Sequence, residues 1–201
     1  MRPLTAALFA AAIAYPAAAL AQGNLPVERE DLPENTNEGT PAENTGGQPA
    51  YGTAVLKGID GKEHGTVRFE TAQTGVVIRA SFTGLPPGTH GIHIHEKGAC
   101  EPDFEAAGGH FNPTGAAHGI LDEDGPHVGD LPNIHVPENG ELTIEFFAPL
   151  LTLSAGTEQA LLDQDGAAVV IHSGADDYKT DPSGNSGDRI ACGVIEAARP
   201  E

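Results

Sequence analysis

From Tyr51 onward, apolar and polar residues alternate in short runs separated by glycine, proline and asparagine. A period of two puts successive side chains on opposite faces of an extended chain, so these runs read as strands. Residues 51–59 and 65–70 form a hairpin about the Asp60-Gly61 turn signal. Residues 76–82 make a third strand, stopped by Gly84-Leu85-Pro86-Pro87-Gly88. Residues 91–96, 133–136, 141–147, 167–172 and 190–197 bring the total to about eight. No stretch sustains a helical period over three turns. The expected fold is all-β: an eight-stranded antiparallel Greek-key barrel or sandwich. Two segments, 97–132 and 173–188, are rich in Gly, Pro and Asp and fit no strand. Loops of that length in a compact domain are usually functional, and something other than an apolar core must hold them.

The first fifty residues follow different rules. Arg2 precedes an apolar run that ends in Ala19-Leu20-Ala21, the small-x-small pattern of a signal-peptidase site, so residues 1–21 read as a cleaved signal peptide. Pro16 and the many alanines argue against a spanning anchor, and no later stretch approaches 18 apolar residues. The expectation is an exported protein with no membrane span. Residues 22–50 carry six acids and one arginine among Pro, Asn and Gly, and read as a disordered acidic linker to a domain over 51–201. Export decides the cysteines: Cys100 and Cys192 are the only two, and outside the cytosol such a pair forms one disulfide.

Charge narrows the function. With 29 acidic against 10 basic residues the formal charge is −19, a field that repels phosphate backbones and excludes nucleic acid. Nine histidines stand beside those 10 Lys and Arg. His93 and His95 flank Ile94 in a predicted strand, so both imidazoles share one face while Ile92 and Ile94 take the other. The loop that follows carries His110, His118, His127 and Asp130, at intervals of 8, 9 and 3, among glycines that allow tight wrapping. Three nitrogen donors and one oxygen suit a tetrahedral zinc. His172 ends a separate apolar strand. With His93 and His95 it supplies three imidazoles, and a fourth completes a tetragonal set that favours copper. The two ring nitrogens of His110 permit it to serve both ions.

Four segments carry a family resemblance: Gly91-Ile92-His93-Ile94-His95, Gly109-His110-Phe111-Asn112-Pro113, His127-Val128-Gly129-Asp130-Leu131, and Gly187-Asp188-Arg189-Ile190-Ala191-Cys192-Gly193-Val194-Ile195. In this order they resemble copper/zinc superoxide dismutases, in particular the exported bacterial branch. The resemblance implies one copper per subunit on His93, His95, His110 and His172. It implies one zinc on His110, His118, His127 and Asp130, with His110 shared, and a disulfide between Cys100 and Cys192. Asp176 matches the carboxylate that links a copper histidine to a zinc histidine, here His93 and His118, with Asp177 competing for the assignment. Arg189 and His110 would be the catalytic residues, one guiding the superoxide anion and the other exchanging a proton. The product pair is O₂ and H₂O₂, the compartment a bacterial periplasm, and the assembly a monomer or homodimer. His90 is expected to bond backbone, and His64 and His135 to lie at the surface. The 173–188 loop is short for the family and Lys179 is its one lysine, which thins the charges that steer substrate. Two rivals remain at this point: a non-catalytic metal-binding module, and an interaction protein whose histidines are incidental.

Overall fold

The computed structural model describes residues 51–199; the expected signal peptide and acidic linker lie outside the described residues. Ten strands form: β1 (Tyr51–Gly58), β2 (Glu63–Thr71), β3 (Val76–Phe82), β4 (Gly88–His90), β5 (Ile92–His95), β6 (Ile134–Val136), β7 (Leu142–Ala148), β8 (Ala168–His172), β9 (Arg189–Val194) and β10 (Glu196–Ala198). One short 3₁₀ turn, η1 (Phe104–Ala107), interrupts the first long loop, and no α-helix occurs among the described residues.

All named pairings are antiparallel. The main sheet runs β5-β8-β9-β1-β2-β3-β7, with β10 also on β1, and β4 pairs with β6 separately. Neighbours that are distant in sequence, such as β5–β8 and β3–β7, require connections that return across the ends, which is the Greek-key arrangement. Alternation fixes the faces. Ala54 and Leu56 of β1, Val67 and Phe69 of β2, and Val76, Ile78, Ala80 and Phe82 of β3 point inward and are buried. They meet Ile92 and Ile94 of β5, Ile134 of β6 and Val169 and Ile171 of β8 in a single core, so the sheet curls to enclose it.

The strand count differs from the expected eight in two places. Residues 88–90 sit beyond a Pro-Pro turn with no alternation to mark them, yet pair with β6. The run 190–197 is two strands: at Ile195 the amide turns to the Ala167 carbonyl (2.9 Å), and the chain then pairs with the start of β1 instead of its end.

β5 and β8 are buried on both faces, which explains why neither shows polar positions other than histidine. The second face of β8 packs into a smaller cluster of Phe104, Ala107, Ala168, Val170 and Cys192, while that of β5 carries His93 and His95. The Cys100–Cys192 disulfide joins the first long loop to β9 at that point, across a sequence separation of 92.

Candidate metal centre

The histidine face of β5 is built by alternation and finished by the two loops. Ile94 donates its N–H to the Gly129 carbonyl (2.9 Å) and accepts from Phe111 (2.8 Å), so the first loop zips onto the free edge of β5. Bridges His93–Asp130 and His95–His110 follow from that register. Gly129 has to be glycine: a Cβ there would collide with the Ile94 carbonyl. The second loop closes on itself through Ser173 N–H to Asp188 (2.7 Å) and Gly174 N–H to Ser186 (2.8 Å). Gly184 turns there at φ +64, and any side chain would strike the Asp176 carboxylate.

Three groups of donor atoms result, each with all its atoms within 4.8 Å: His93, His95, His110 and His172; His110, His118, His127 and Asp130; and His93, His118 and Asp176. The seven residues of the first two groups, expected from spacing, are all brought together, with His110 common to both. All are buried.

Hydrogen bonds decide which ring nitrogen faces each group. His95 Nδ1 lies 3.0 Å from the Gly108 carbonyl and His172 Nδ1 3.2 Å from the Gly187 carbonyl. His93 Nε2 and His118 Nε2 lie 2.8 and 3.0 Å from the two oxygens of Asp176. A carbonyl or carboxylate only accepts, so each of these nitrogens carries a proton; the opposite one presents a lone pair in His93, His95 and His172, whereas in His118 it lies 3.2 Å from Asp130 Oδ2. Those opposite atoms, His93 Nδ1, His95 Nε2, His118 Nδ1 and His172 Nε2, together with His110 Nε2, are the five buried side-chain atoms without a hydrogen-bond partner among the described residues. Buried polar atoms normally find partners. Four of the five, on His93, His95, His110 and His172, meet in the first group and fit a cation there; the fifth, His118 Nδ1, faces Asp130 in the second. In the second group His110 Nδ1 lies 2.8 Å from Asp130 Oδ1, and His118 Nδ1 and His127 Nδ1 lie 3.2 and 3.3 Å from that carboxylate. Asp130 Oδ2 is fixed by the N–H groups of Gly119 (2.9 Å) and His127 (3.0 Å).

Electrostatics divides the rings. Burial, joined by the neighbouring imidazoles, lowers His95 to about 2, His172 to about 3 and His110 to about 4, the bond to Asp130 limiting the last. These rings are neutral donors at neutral pH. Burial opposes charge on His118 too, but Asp130 and Asp176 outweigh it and hold that ring up at about 9. Both carboxyls resist burial through their histidine bonds and stay well below the usual carboxylate range.

Asp176, not Asp177, is the linking carboxylate; Asp177 is exposed and caps the turn at Thr180. Residues around Asp176 had no sequence signal. The Asn133 side chain donates to the Asp176 carbonyl (2.8 Å) and accepts from its N–H (2.9 Å), and the Tyr178 amide donates to Asp176 Oδ1 (2.6 Å). The Tyr178 hydroxyl in turn accepts the Asn133 N–H (2.7 Å).

Arg189, opposite His172 across β8 and β9, does not pair with Asp188 or Asp181. Its Nη1 donates to the Phe104 carbonyl (2.6 Å) and its Nη2 to the Gly108 carbonyl (2.8 Å), with Glu105 Oε2 3.3 Å from Nη2. A cavity of ≈ 530 Å³ reaches Arg189, His95, His110 and His172. His90 bonds the carbonyls of His172 (2.8 Å) and Pro86 (2.9 Å), as expected. His135 is exposed, whereas His64 is half-buried against the Thr83 carbonyl (3.2 Å); neither belongs to a donor group.

A curled antiparallel sheet with two histidine-rich donor groups sharing one imidazole defines a protein of the dinuclear metal class. The model of the copper/zinc superoxide dismutase family matches residues 63–195. Superoxide dismutase [Cu-Zn] 2 of Aquifex aeolicus is 46% identical over 144 residues, covering 71% of this chain and 84% of the relative. Superoxide dismutase [Cu-Zn] of Caulobacter vibrioides is 46% identical over 147 residues, covering 72% and 84%. The crystal structure of a SOD-like protein from Bacillus subtilis superposes with a TM-score of 0.68 at 43% identity, covering 71% of this chain and 96% of that one. The chain belongs to the copper/zinc superoxide dismutase family.

Proposed function

We propose that this protein dismutates superoxide, with His93, His95, His110 and His172 holding copper and His110, His118, His127 and Asp130 holding zinc. Family membership makes it an oxidoreductase that uses these two metals. The observation that supports the ligand assignment is the set of four unpartnered imidazole nitrogens that meet in the first group, each with its far nitrogen hydrogen-bonded, beside a second group of three imidazole nitrogens gathered on the Asp130 carboxylate. When bound, copper supplies the one-electron chemistry, while zinc, which has no redox cycle, supplies fixed charge.

The chain's own residues do the rest. Arg189 offers a permanent cation and a fork of donors at the cavity, suited to a small anion. Its two carbonyl anchors keep the guanidinium from turning away. His110 holds its ring by Nδ1 on Asp130 and leaves Nε2 toward His93, His95 and His172 as the atom that would take and give a proton. Asp176 fixes the tautomers of one ring on each side. A metal buffer would have no use for Arg189 at the cavity, and an interaction protein none for the buried orphans. Residues 1–21 act as the export signal, 22–50 as a spacer and 51–201 as the catalytic domain. The disulfide fits an oxidising compartment, and the bacterial periplasm suits it best. No helix among the described residues is long and apolar enough to cross a membrane. The domain works as a monomer or homodimer.

Metal analysis of the purified protein, paired with a superoxide assay of the copper- and zinc-loaded form, tests this reading. About one copper and one zinc per chain with copper-dependent activity is expected; loaded protein without activity, or no metal uptake, would refute it.

A further inference from the structure

Arg189 is the one cation among the described residues lining the cavity, and it shares the mouth with Asp103, Glu105 and Asp188. Its Nη1 and Nη2 each donate to one carbonyl, of Phe104 and Gly108, and the guanidinium keeps further N–H groups for an arriving anion. Glu105 stands beside it, its Oε2 3.3 Å from the same Nη2, with 77% of its side chain exposed against 16% for Arg189. An ion pair this open adds little to stability. The backbone that carries it is held: Glu105 is the second residue of η1, its N–H donates to Asp103 Oδ1 (3.1 Å), and the disulfide ties the segment to β9.

We infer that Glu105 makes the mouth a charge filter: it lets Arg189 receive singly charged anions and discriminates against multiply charged ones such as phosphate. The physical reason is scaling. Repulsion from a fixed negative charge doubles between a monoanion and a dianion at the same site. Attraction to the guanidinium, and to the metal ions of the loaded protein, doubles as well, so the selection lies in the one charge: the Glu105 carboxylate costs a dianion twice what it costs a monoanion. The inference rests on Arg189 being the anion-receiving group.

The test is calorimetric titration of azide, a monoanion, and phosphate at a pH where the dianion dominates, into the metal-loaded protein at low salt. Wild type, Glu105→Gln, Glu105→Asp and Arg189→Gln are compared, with metal content checked in each. In Glu105→Gln, azide affinity should rise about threefold and phosphate about tenfold, and both gains should shrink in about 0.5 M salt. Glu105→Asp should restore most of the discrimination. Equal gains for both anions, or none while Arg189→Gln still weakens binding, would overturn the filter and leave Arg189 in place. Phosphate and azide binding unchanged in Arg189→Gln would overturn the role of Arg189 itself.

Discussion

Replacing Asp176 by asparagine changes one atom and separates charge, tautomer and packing. Asp176 Oδ1 accepts two donors, the Tyr178 amide at 2.6 Å and His118 Nε2 at 3.0 Å, whereas Oδ2 accepts only His93 Nε2 at 2.8 Å. A backbone N–H cannot become an acceptor, so the amide oxygen of the variant must take the Oδ1 position. The NH₂ group then faces His93 Nε2. Two donors cannot meet, so His93 moves its proton to Nδ1, the lone pair that faces the proposed copper group. His118 keeps its tautomer and loses only the charge assistance. Asp176→Asn should therefore weaken copper binding more than zinc binding. Outer-shell partners of this kind are worth about 10–100-fold in affinity, and copper should lie at the upper end. Asp176→Ala instead strips three buried donors of their acceptor, at about 1–3 kcal/mol each, and should destabilise the fold by several kcal/mol. Competition against a chelator for each metal separately, with Asp177→Asn as the exposed control, reads the difference. Equal losses at the two sites, or none, would refute the tautomer argument.

Arg189→Ile should lower superoxide turnover at least tenfold while copper and zinc content stay unchanged; an unaltered rate removes the guanidinium from the reaction. Reducing the disulfide, which closes a separation of 92 residues, should cost up to about 4–5 kcal/mol and lower turnover as well, because the tethered segment carries the Arg189 anchors. Melting curves and rates unchanged by reductant would contradict this. In the metal-free protein, the folded values of about 2, 3 and 4 for His95, His172 and His110 lie below the unfolded value of about 6.5, so unfolding takes up protons. Their contribution is complete above about pH 6.5 and is lost as the pH falls through 4 toward 2. His118, raised to about 9, has the opposite sign: its contribution is complete below about pH 6.5 and lost as the pH rises through 9. Zinc uptake at pH 7 should accordingly release close to one proton, and close to none near pH 10. Calorimetry in buffers of different ionisation heat measures this, and no release at pH 7 would sink it.

Most of the sheet is written in the alternation of its strands, because one face of β1, β2 and β3 must be apolar. β4 escapes that logic, since three residues after a Pro-Pro turn have no period to show, and its pairing with β6 is set by the fold around it. The switch at Ile195 escapes because its side chain stays apolar and buried while only the backbone changes partner. The imidazoles were legible because histidines at strand spacing and in a glycine-rich loop are chemically unusual. Their supports were not. Asn133 and Tyr178 are ordinary loop residues until the two loops meet, and the groups that hold Arg189 and His95 are carbonyls, which every residue has. Glu105 is one acid among 29, marked only by where the disulfide puts it.

The Gly108 carbonyl accepts from both Arg189 Nη2 and His95 Nδ1. One peptide plane thus sets the reach of the anion receptor and the tilt of a metal-facing ring. With Arg189 and His95 in their proposed roles, any redesign that shifts residues 104–108 would alter anion capture and the copper ligand set together, and double substitutions there should depart from additivity. Independent adjustment has to come from side chains that reach the guanidinium without moving this carbonyl, as the exposed Glu105 carboxylate does.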